Sequence, residues 1–363
     1  MRVQRAKGSG SRLEAAVGRA GAWLAAALLG LSLAGGAGAR SVEDSAGRRV
    51  EVPDRVERVF AAGPPAAVLL YVLKPEALLG WPRALRPEER PFIAPAARDL
   101  PETGRLTGRG GEANLEVVLK LKPDLVVDFG SVRDTYVSLA DRVQEQTGIP
   151  YILIDGRFEN TAAALRLFGK ILGVEERAEK LAAYAEAAFA EVDAVLAEVP
   201  EAERPKVYLG RGTDGLESGV EGSINTESIE RAGGRNVIAT AGGQRGLVRV
   251  SPEQLLTSDP DIVVTWDETF YRNAWNDPLW RGMEAVQNNE VFLSPSLPFG
   301  WIDRPPSLNR LIGLRWLAGI FYQDRLQHDL PAMTREFYSL FYQVDLSDED
   351  LAALLPWLSG NPQ

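Results

Sequence analysis

The chain has 363 residues with 40 basic and 50 acidic side chains, a formal net charge of −10, one histidine and no cysteine. The acidic balance argues against nucleic acid and anionic lipid as partners, because both carry negative charge. The absence of cysteine excludes disulfides, thiolate metal sites and a cysteine nucleophile. The single histidine, His328, leaves little for histidine-based catalysis or zinc binding.

Residues 1–39 have the pattern of a cleaved signal peptide. Basic residues between Arg2 and Arg19 precede an apolar run at 22–34, and Ala37-Gly38-Ala39 matches an A-x-A cleavage site. The run is short for a bilayer-spanning helix, which disfavours the alternative of an uncleaved anchor. Cleavage removes five basic residues and one acid, which leaves 35 basic and 49 acidic residues and a net charge of −14. Since no cysteine is available for lipid attachment, we expect a free periplasmic protein.

Short apolar runs alternate with helical patterns in the first half of the chain, as they do in a parallel α/β lobe. The mature chain opens with a hairpin whose turn is centred on Gly47. The predicted strands cover 56–61, 77–80, 125–128 and 151–154, and the predicted helices cover 66–73, 135–146 and 160–172, the last capped by Asn160.

One stretch of sequence occurs twice, at 114–127 and at 251–264. In each copy a glutamate, Glu116 or Glu253, stands eight residues before the aspartate of a Pro-Asp pair, and an aliphatic run follows. This pattern predicts a helix, a proline-broken turn and a buried parallel strand. The separation of 137 residues is too large for a solenoid and suits two similar lobes that face each other across a cleft.

Residues 175–199 form a long run rich in Ala, Glu and Leu, without Gly or Pro, with apolar side chains at helical spacing. As a helix it would be about 37 Å long, enough to connect two lobes as a stiff strut. The alternative is an ordinary surface helix that belongs to one lobe.

The second half repeats the alternation of strands and helices. Strands are predicted at 206–210, 262–265 and 291–293, helices at 226–232 and 308–322, and an acidic helical tail at the end. The expected fold is α/β, with two parallel-sheet lobes bridged by a single long helix. The predicted division is a signal peptide at 1–39, an N-terminal lobe at 40–173, an inter-lobe helix at 174–200, a C-terminal lobe at 201–328 and a helical tail at 329–363.

Ligand-binding candidates follow from this fold, because ligands of parallel α/β lobes bind in loops after the carboxyl ends of strands. The candidates in such loops are Pro65, Trp81, Ser131, Arg211, Asn225, Trp266, Trp301 and Arg304, with Arg109 and Arg245 from Gly-rich loops. Guanidinium groups match carboxylate, phosphate or oxometallate oxygens, and tryptophan covers flat organic surface, so an anionic chelate or oxyanion fits better than a bare cation. In the competing interpretation Trp301 fills the core, and Arg211 and Arg304 form ion pairs with Asp214 and Asp303.

Several motifs together are similar to one family. They are Gly47-Arg48-x-Val50-Glu51-Val52-Pro53, Asn114-Leu115-Glu116 with Lys122-Pro123-Asp124, Ala232-Gly233-Gly234-Arg235-Asn236-Val237, and Ser251-Pro252-Glu253-Gln254. Their order and spacing resemble those of the periplasmic substrate-binding proteins of ABC importers that carry ferric siderophores, haem, cobalamin and some metal oxyanions. The resemblance spans nearly the whole mature chain.

The resemblance implies class III receptors, with two lobes joined by one long helix and a ligand bound in the cleft with little closure. It also implies that Glu116 and Glu253 dock on arginines of the membrane permease. The alternative for both glutamates is a favourable acid in a first helical turn. The expected protein is a monomer without stable membrane insertion, catalysis or a resident cofactor.

The preferred ligand is an iron complex such as a ferric siderophore. Molybdate or tungstate comes next, because arginines and helix N-termini bind oxyanions, and cobalamin or haem follows. The tyrosine that haem receptors place before the Asn-Leu-Glu stretch is absent from 107–111. The remote alternative is a periplasmic hydrolase that uses the carboxylates of Asp267 and Asp303.

Overall fold

The structure, a computed structural model, describes residue 1 and residues 38–108, 115–239 and 246–359. Two separate parallel sheets form the two lobes, one with strand order β3-β4-β5 and the other with order β11-β10-β6-β8. The strands are β1 (Ala39–Glu43), β2 (Arg49–Pro53), β3 (Val59–Ala61), β4 (Leu125–Gly130), β5 (Tyr151–Asp155), β6 (Lys206–Gly210), β7 (Glu217–Gly219), β8 (Arg235–Asn236), β9 (Leu247–Arg249), β10 (Ile262–Thr265) and β11 (Val291–Leu293). The predicted α/β class with two parallel-sheet lobes is confirmed.

Helices cover the faces of both sheets. They are α1 (Pro64–Leu73), α2 (Pro95–Arg98), α3 (Leu115–Leu121), α4 (Asp134–Thr147), α5 (Thr161–Leu172), α6 (Glu175–Leu196), α7 (Glu227–Arg231), α8 (Pro252–Ser258), α9 (Glu268–Asn273), α10 (Glu284–Gln287), α11 (Arg310–Phe321), α12 (Leu330–Phe337) and α13 (Asp348–Leu354). Over the described ranges, no helix combines the length and the apolar character that a bilayer crossing needs.

Both copies of the sequence repeat use the same backbone geometry. Lys122 directly follows helix α3 and Asp259 directly follows helix α8, and both residues have left-handed backbone angles, with φ of 48° and 36°. A left-handed residue followed by proline stops the helix and turns the chain into a strand. In both lobes that strand, β4 or β10, is central to its sheet and fully apolar over its first three residues.

The aspartate of each Pro-Asp pair fixes the neighbouring strand. Asp124 accepts hydrogen bonds from the backbone N–H groups of Glu57 and Arg58, each at 2.9 Å, just before β3. Asp261 accepts one from the backbone N–H of Lys206 at 2.7 Å, at the start of β6. A carboxylate that accepts backbone N–H groups sets the register of two adjacent parallel strands. The Pro-Asp signal therefore marks strand pairing in each lobe.

Two local predictions were wrong. Residues 77–80 do not form a strand of the sheet, because Pro75 opens a 3₁₀ turn and only Leu78 bridges to β3, at Val59. Asn160 stands at the start of α5 but does not cap it with its side chain. Its amide donates instead to Asp155 at 2.8 Å.

Helix α6 has 22 residues and bonds to both halves of the chain. Near its beginning, Glu179 accepts from Arg166 of α5 at 2.8 Å. Near its end, Glu191 accepts from Arg315 of α11 at 2.7 Å. At 1.5 Å per residue the helix is about 33 Å long. It therefore acts as the predicted bridge between the lobes.

The C-terminal segment returns to the first lobe. Tyr71, on buried helix α1, donates its hydroxyl hydrogen to the carbonyl of Tyr342 at 2.5 Å and accepts from the N–H of Ala94 at 2.8 Å. The rings of Tyr71 and Tyr342 are stacked, with centroids 6.2 Å apart. Residues near the C-terminus are therefore part of the main core rather than an appendage.

A buried arginine joins the lobes at the base of the cleft. The guanidinium of Arg310 donates to the carbonyl oxygens of Ser307 at 3.1 Å, Ile224 at 3.2 Å and Gly156 at 2.9 Å, and to the carboxylate of Glu227 at 2.8 Å. Gly156 follows β5 of the first lobe, whereas the other three acceptors belong to the second half of the chain. Each of the three guanidinium nitrogens of this fully buried side chain thus donates to at least one acceptor.

Two glycines of α11 provide a test of the packing. A methyl group added at Gly313 would collide with the backbone carbonyl of Trp301, whereas one added at Gly319 would meet only the His328 ring at 3.3 Å. Both substitutions gain about 1 kcal/mol of helix propensity. We expect Gly313→Ala to lower the free energy of unfolding by about 2 kcal/mol or more, and Gly319→Ala to raise it by less than about 1 kcal/mol, because the tight contact with His328 offsets part of the propensity gain. Urea unfolding measures both, and equal effects would contradict this packing.

Candidate functional site

A cleft of about 1590 Å³ lies between the two lobes. Loops that follow β3, β4 and β5 line it on one side, and loops that follow β6, together with the 299–306 segment, line it on the other. The site is therefore where the parallel-sheet rule places it, at the carboxyl ends of the strands.

The structure brings together six of the predicted ligand-binding residues along this cleft. These are Pro65, Trp81, Ser131, Arg211, Asn225 and Arg304. Arg109 and Arg245 lie outside the described residues. Trp81 is largely buried and donates its indole N–H to the carbonyl of Ala97 at 2.8 Å, so only a small part of it faces the cleft.

Trp266 and Trp301 do not line the cleft. Trp301 is fully buried in the core and donates its indole N–H to the Tyr338 hydroxyl at 3.3 Å. The Trp266 ring is covered by cations, with the guanidinium carbons of Arg304 and Arg211 at 4.5 and 5.2 Å from its centroid. Trp266 thus orients arginines rather than presenting a free face.

Asp303 organises the wall of the second lobe. Its carboxylate is fully buried and accepts from the Arg211 guanidinium, from the Asn225 amide at 3.0 Å and from the Trp266 indole at 2.9 Å. Burial raises the pKa of Asp303, and Arg211, Asn225 and Trp266 act in the opposite direction. Arg211 pairs with Asp303 and Glu217 instead of the predicted Asp214, which pairs with Arg249.

Three cleft arginines have no carboxylate partner within the described residues. Arg133 donates to the Ser131 hydroxyl at 2.9 Å, and Arg304 stacks on the ring of Trp266. Arg105 also lines the cleft, and among the described residues its guanidinium neither donates to a side chain nor stacks on an aromatic ring. Partial burial lowers the pKa of Arg304, and the positive charges of Arg86 and Arg83 lower it further. A guanidinium that faces other cations is a favourable place for a ligand anion.

Sequence reasoning missed Arg83, Arg105, Thr107, Asp128 and Arg133. Arg133 follows the predicted Ser131 by two residues, and Asp128 is the one acid inside the apolar strand β4. An acid in a buried strand is the signal that could have identified it. The remaining three lie in irregular segments without a pattern that points to the cleft.

Asp128 is a buried carboxyl group at the floor of the cleft. One oxygen accepts from the Thr107 hydroxyl at 3.2 Å, while the other is buried and makes no hydrogen bond of normal geometry among the described residues. Burial raises the pKa of Asp128 to about 6, and the Thr107 hydroxyl, the Phe129 backbone and the nearby Tyr151 hydroxyl act in the opposite direction. Asp128 therefore changes its charge close to neutral pH.

The two carboxylates of the hydrolase alternative have other partners. Asp267 accepts from the N–H of Phe270 at 3.0 Å as the N-cap of α9. Asp303 is engaged by three donors, as described above. In the described part of the chain, no group of three or more His, Asp or Glu residues is placed to hold a metal ion.

Comparison with known proteins agrees with this architecture. Residues 93–297 match the periplasmic binding protein family, and the chain belongs to that family. A solved ABC transporter solute-binding protein from Sulfurospirillum deleyianum is 30% identical, with a TM-score of 0.79, over 87% of this chain and 99% of its own. The protein is thus a class III solute-binding protein of an ABC transporter, which confirms the resemblance inferred from the motifs.

Relatives in this family carry different ligand names. The molybdate-binding protein MolA of Haemophilus influenzae is 25% identical over 86% of this chain and 93% of its own length. A cobalamin-binding protein of Halobacterium salinarum is 28% identical over 69% of this chain and 64% of its own length. The structure of MolA bound to molybdate has the same fold, with a TM-score of 0.69 at 21% identity over 85% of this chain and 99% of its own.

The raised pKa of Asp128 predicts a pH-dependent stability. The folded protein keeps a proton on this carboxyl up to about pH 6, whereas the unfolded chain releases it near its ordinary value of 3.8. Stability from this group is therefore present at low pH and is lost as pH rises through about 6. We expect Asp128→Asn to be more stable than the unmodified protein by up to about 3 kcal/mol at pH 8, with the difference vanishing near pH 4. Urea unfolding from pH 4 to 8 tests this.

The control is Asp134→Asn, which changes an exposed acid at the start of α4. Its stability difference should not vary in the same way. A pH-independent difference for Asp128→Asn would show that this carboxyl keeps an ordinary pKa.

Proposed function

We propose that the protein captures an anionic metal complex, a ferric siderophore or related chelate, in the periplasm and delivers it to the permease of its ABC importer. The observation that carries the proposal is a cleft in which guanidinium groups from both lobes have no carboxylate partner among the described residues. Arg105 and Arg133 approach from the first lobe and Arg304 from the second. Cleavage of the 1–39 segment and export to the periplasm belong to the same proposal.

Three of the six acids that line the cleft are paired with arginines. Asp155 pairs with Arg157, Asp303 with Arg211, and Glu227 with Arg310. Of the other lining acids, Asp128 is buried with a raised pKa, and Glu102 and Glu221 are exposed to solvent. The unpaired positive groups therefore favour an anion over a bare cation.

The size of the cleft separates the candidate anions. Its volume of about 1590 Å³ exceeds the roughly 300–1,000 Å³ of sites for drug-sized ligands. A bare tetrahedral oxyanion would leave most of this space to water. A chelate with an organic shell would also contact the apolar lining at Pro65, Val68 and Phe299.

A metal oxyanion is the second candidate. It is favoured by the similarity to MolA, the molybdate-binding protein, over most of both chains. Cobalamin and haem rank below it, because they require a metal ligand or a flat apolar wall. The predicted tryptophan walls, Trp266 and Trp301, do not line the cleft.

Calorimetry tests the ligand class. We expect binding of at least one ferric chelate in a panel of ferric citrate, ferric hydroxamates, molybdate, cobalamin and Zn²⁺. Arg133→Gln and Arg304→Gln should each weaken binding about tenfold or more, since each removes a charge-assisted hydrogen bond of about 1.5–3 kcal/mol. Arg272→Gln, which breaks an exposed ion pair with Glu268, is the control and should bind normally. Tight binding of Zn²⁺ alone would contradict the proposal, and tight binding of molybdate alone would favour the second candidate.

Delivery to the permease is assigned to Glu116 and Glu253. Both are exposed and lie in the first turns of α3 and α8, one helix from each lobe. Glu253 takes no part in the capping box of α8, which Ser251 and Gln254 complete, so the cap itself does not require this glutamate.

Charge reversal tests the docking role. We expect Glu116→Arg combined with Glu253→Arg to abolish ligand uptake in cells that carry the importer, while the affinity for ligand stays within about twofold, because neither residue lines the cleft. Glu349→Arg, an exposed first-turn acid of the equally short helix α13, is the matched control. Normal uptake by the double variant would refute the docking role.

A further inference from the structure

Large apolar side chains are strongly exposed at only a few places in the described ranges. These are Met1, Val117, Leu119, Leu256 and Trp357. Three of the five lie on α3 and α8, the two helices that carry the repeated glutamates. Exposed apolar groups that cluster on particular elements mark interaction sites, whereas scattered ones need no explanation.

Leu119 and Leu256 occupy the same position in the duplicated stretch. Each lies five residues before the aspartate of its Pro-Asp pair and three residues after its glutamate. Their exposures are also alike, 47% for Leu119 and 50% for Leu256. The residues just before them, Val118 and Leu255, are fully buried. Each helix thus buries one apolar residue in its own lobe and shows the next to solvent.

The spacing places each leucine beside its glutamate. Residues three apart are neighbours on a helix surface, so Glu116 with Leu119, and Glu253 with Leu256, form two similar patches that combine one carboxylate with one apolar side chain. None of these four residues lines the cleft, so they are not ligand contacts. The patches belong to different lobes, which the 22-residue helix α6 connects.

We propose that Leu119 and Leu256 are paired apolar anchors that pack into two equivalent pockets of the membrane permease, one beside each docking glutamate. The inference rests on the proposed delivery function and extends it to residues outside the charge pairs. A partner with two equivalent surfaces, each with an apolar pocket next to a cation, fits two matched patches on one rigid chain. The leucines supply affinity through apolar burial, while the glutamates fix the orientation.

The experiment measures binding of the full chain to its purified permease in nanodiscs. We expect Leu119→Ala and Leu256→Ala each to raise Kd by about tenfold, with a larger increase for the double variant and reduced uptake in cells. Ligand affinity and thermal stability should not change, because both side chains are half exposed. Trp357→Ala, which removes an exposed aromatic outside the repeats, is the control and should bind the permease normally.

The outcomes separate this inference from the docking role of the glutamates. If the leucine variants bind the permease normally while Glu116→Arg with Glu253→Arg does not, the anchors are refuted and the docking role stands. If neither set of variants changes permease binding, both proposals fail. Sedimentation provides a third arm: a dimer of the unmodified protein that the leucine variants convert to monomer would assign the patches to a second copy of this chain.

Discussion

The geometry of the cleft depends on the buried guanidinium of Arg310. Removing a charge from water is expensive, and the cost is offset only when hydrogen bonds and an opposite charge replace the lost hydration. Arg310 meets this condition with Glu227 and with carbonyl groups from three other segments, one of them in the first lobe. Glu227 also accepts from the backbone N–H of Phe158, whose ring lies under the guanidinium at 4.6 Å from its carbon. The loops of both lobes are thus joined at one point, and with α6 behind them they favour a cleft of fixed width over a hinged one.

The cleft contains two kinds of arginine. Arg211 and Arg83 are paired with the buried carboxylates of Asp303 and Glu89, so their role is to hold the walls. Arg133 and Arg304 have no carboxylate partner in the described chain, and their positive charges are available to an anionic ligand. Because buried ion pairs cost desolvation on both sides, they define shape more than they add stability. Arg304 is preorganised, because it stacks on Trp266 and Trp266 is held by Asp303, and this reduces the ordering cost of binding an anion.

The sequence predicted the central strands well and the directions of side chains poorly. Strands β6, β10 and β11 begin and end at the predicted residues, because each is a short aliphatic run between polar residues or turn-forming residues such as Pro205, Gly210 and Asp261. The pairing of β7 with β9 was not foreseen, since it joins short segments without alternation that lie far apart in sequence. Trp266 and Trp301 were predicted to contact the ligand, yet neither lines the cleft. Which way a side chain points after a strand end depends on partners such as Asp303 and Tyr338, and local sequence does not encode them.

The duplicated halves differ in an informative way. The turn residues Lys122 and Asp259, the register-setting Asp124 and Asp261, and the exposed Leu119 and Leu256 match between lobes in geometry as well as position. The match ends inside the next strand: the buried carboxyl group of Asp128 corresponds to Thr265, whose hydroxyl accepts from the N–H of Asp267 at 2.9 Å. Beyond it, Gly130-Ser131 corresponds to Asp267-Glu268. The two lobes are therefore alike on α3 and α8, the helices that we propose to contact the permease. They differ in the loops after β4 and β10, at the ends of the strands that point toward the ligand cleft. A partner with two equivalent surfaces requires matched faces, whereas a single ligand held between the lobes has no such symmetry and requires two different walls.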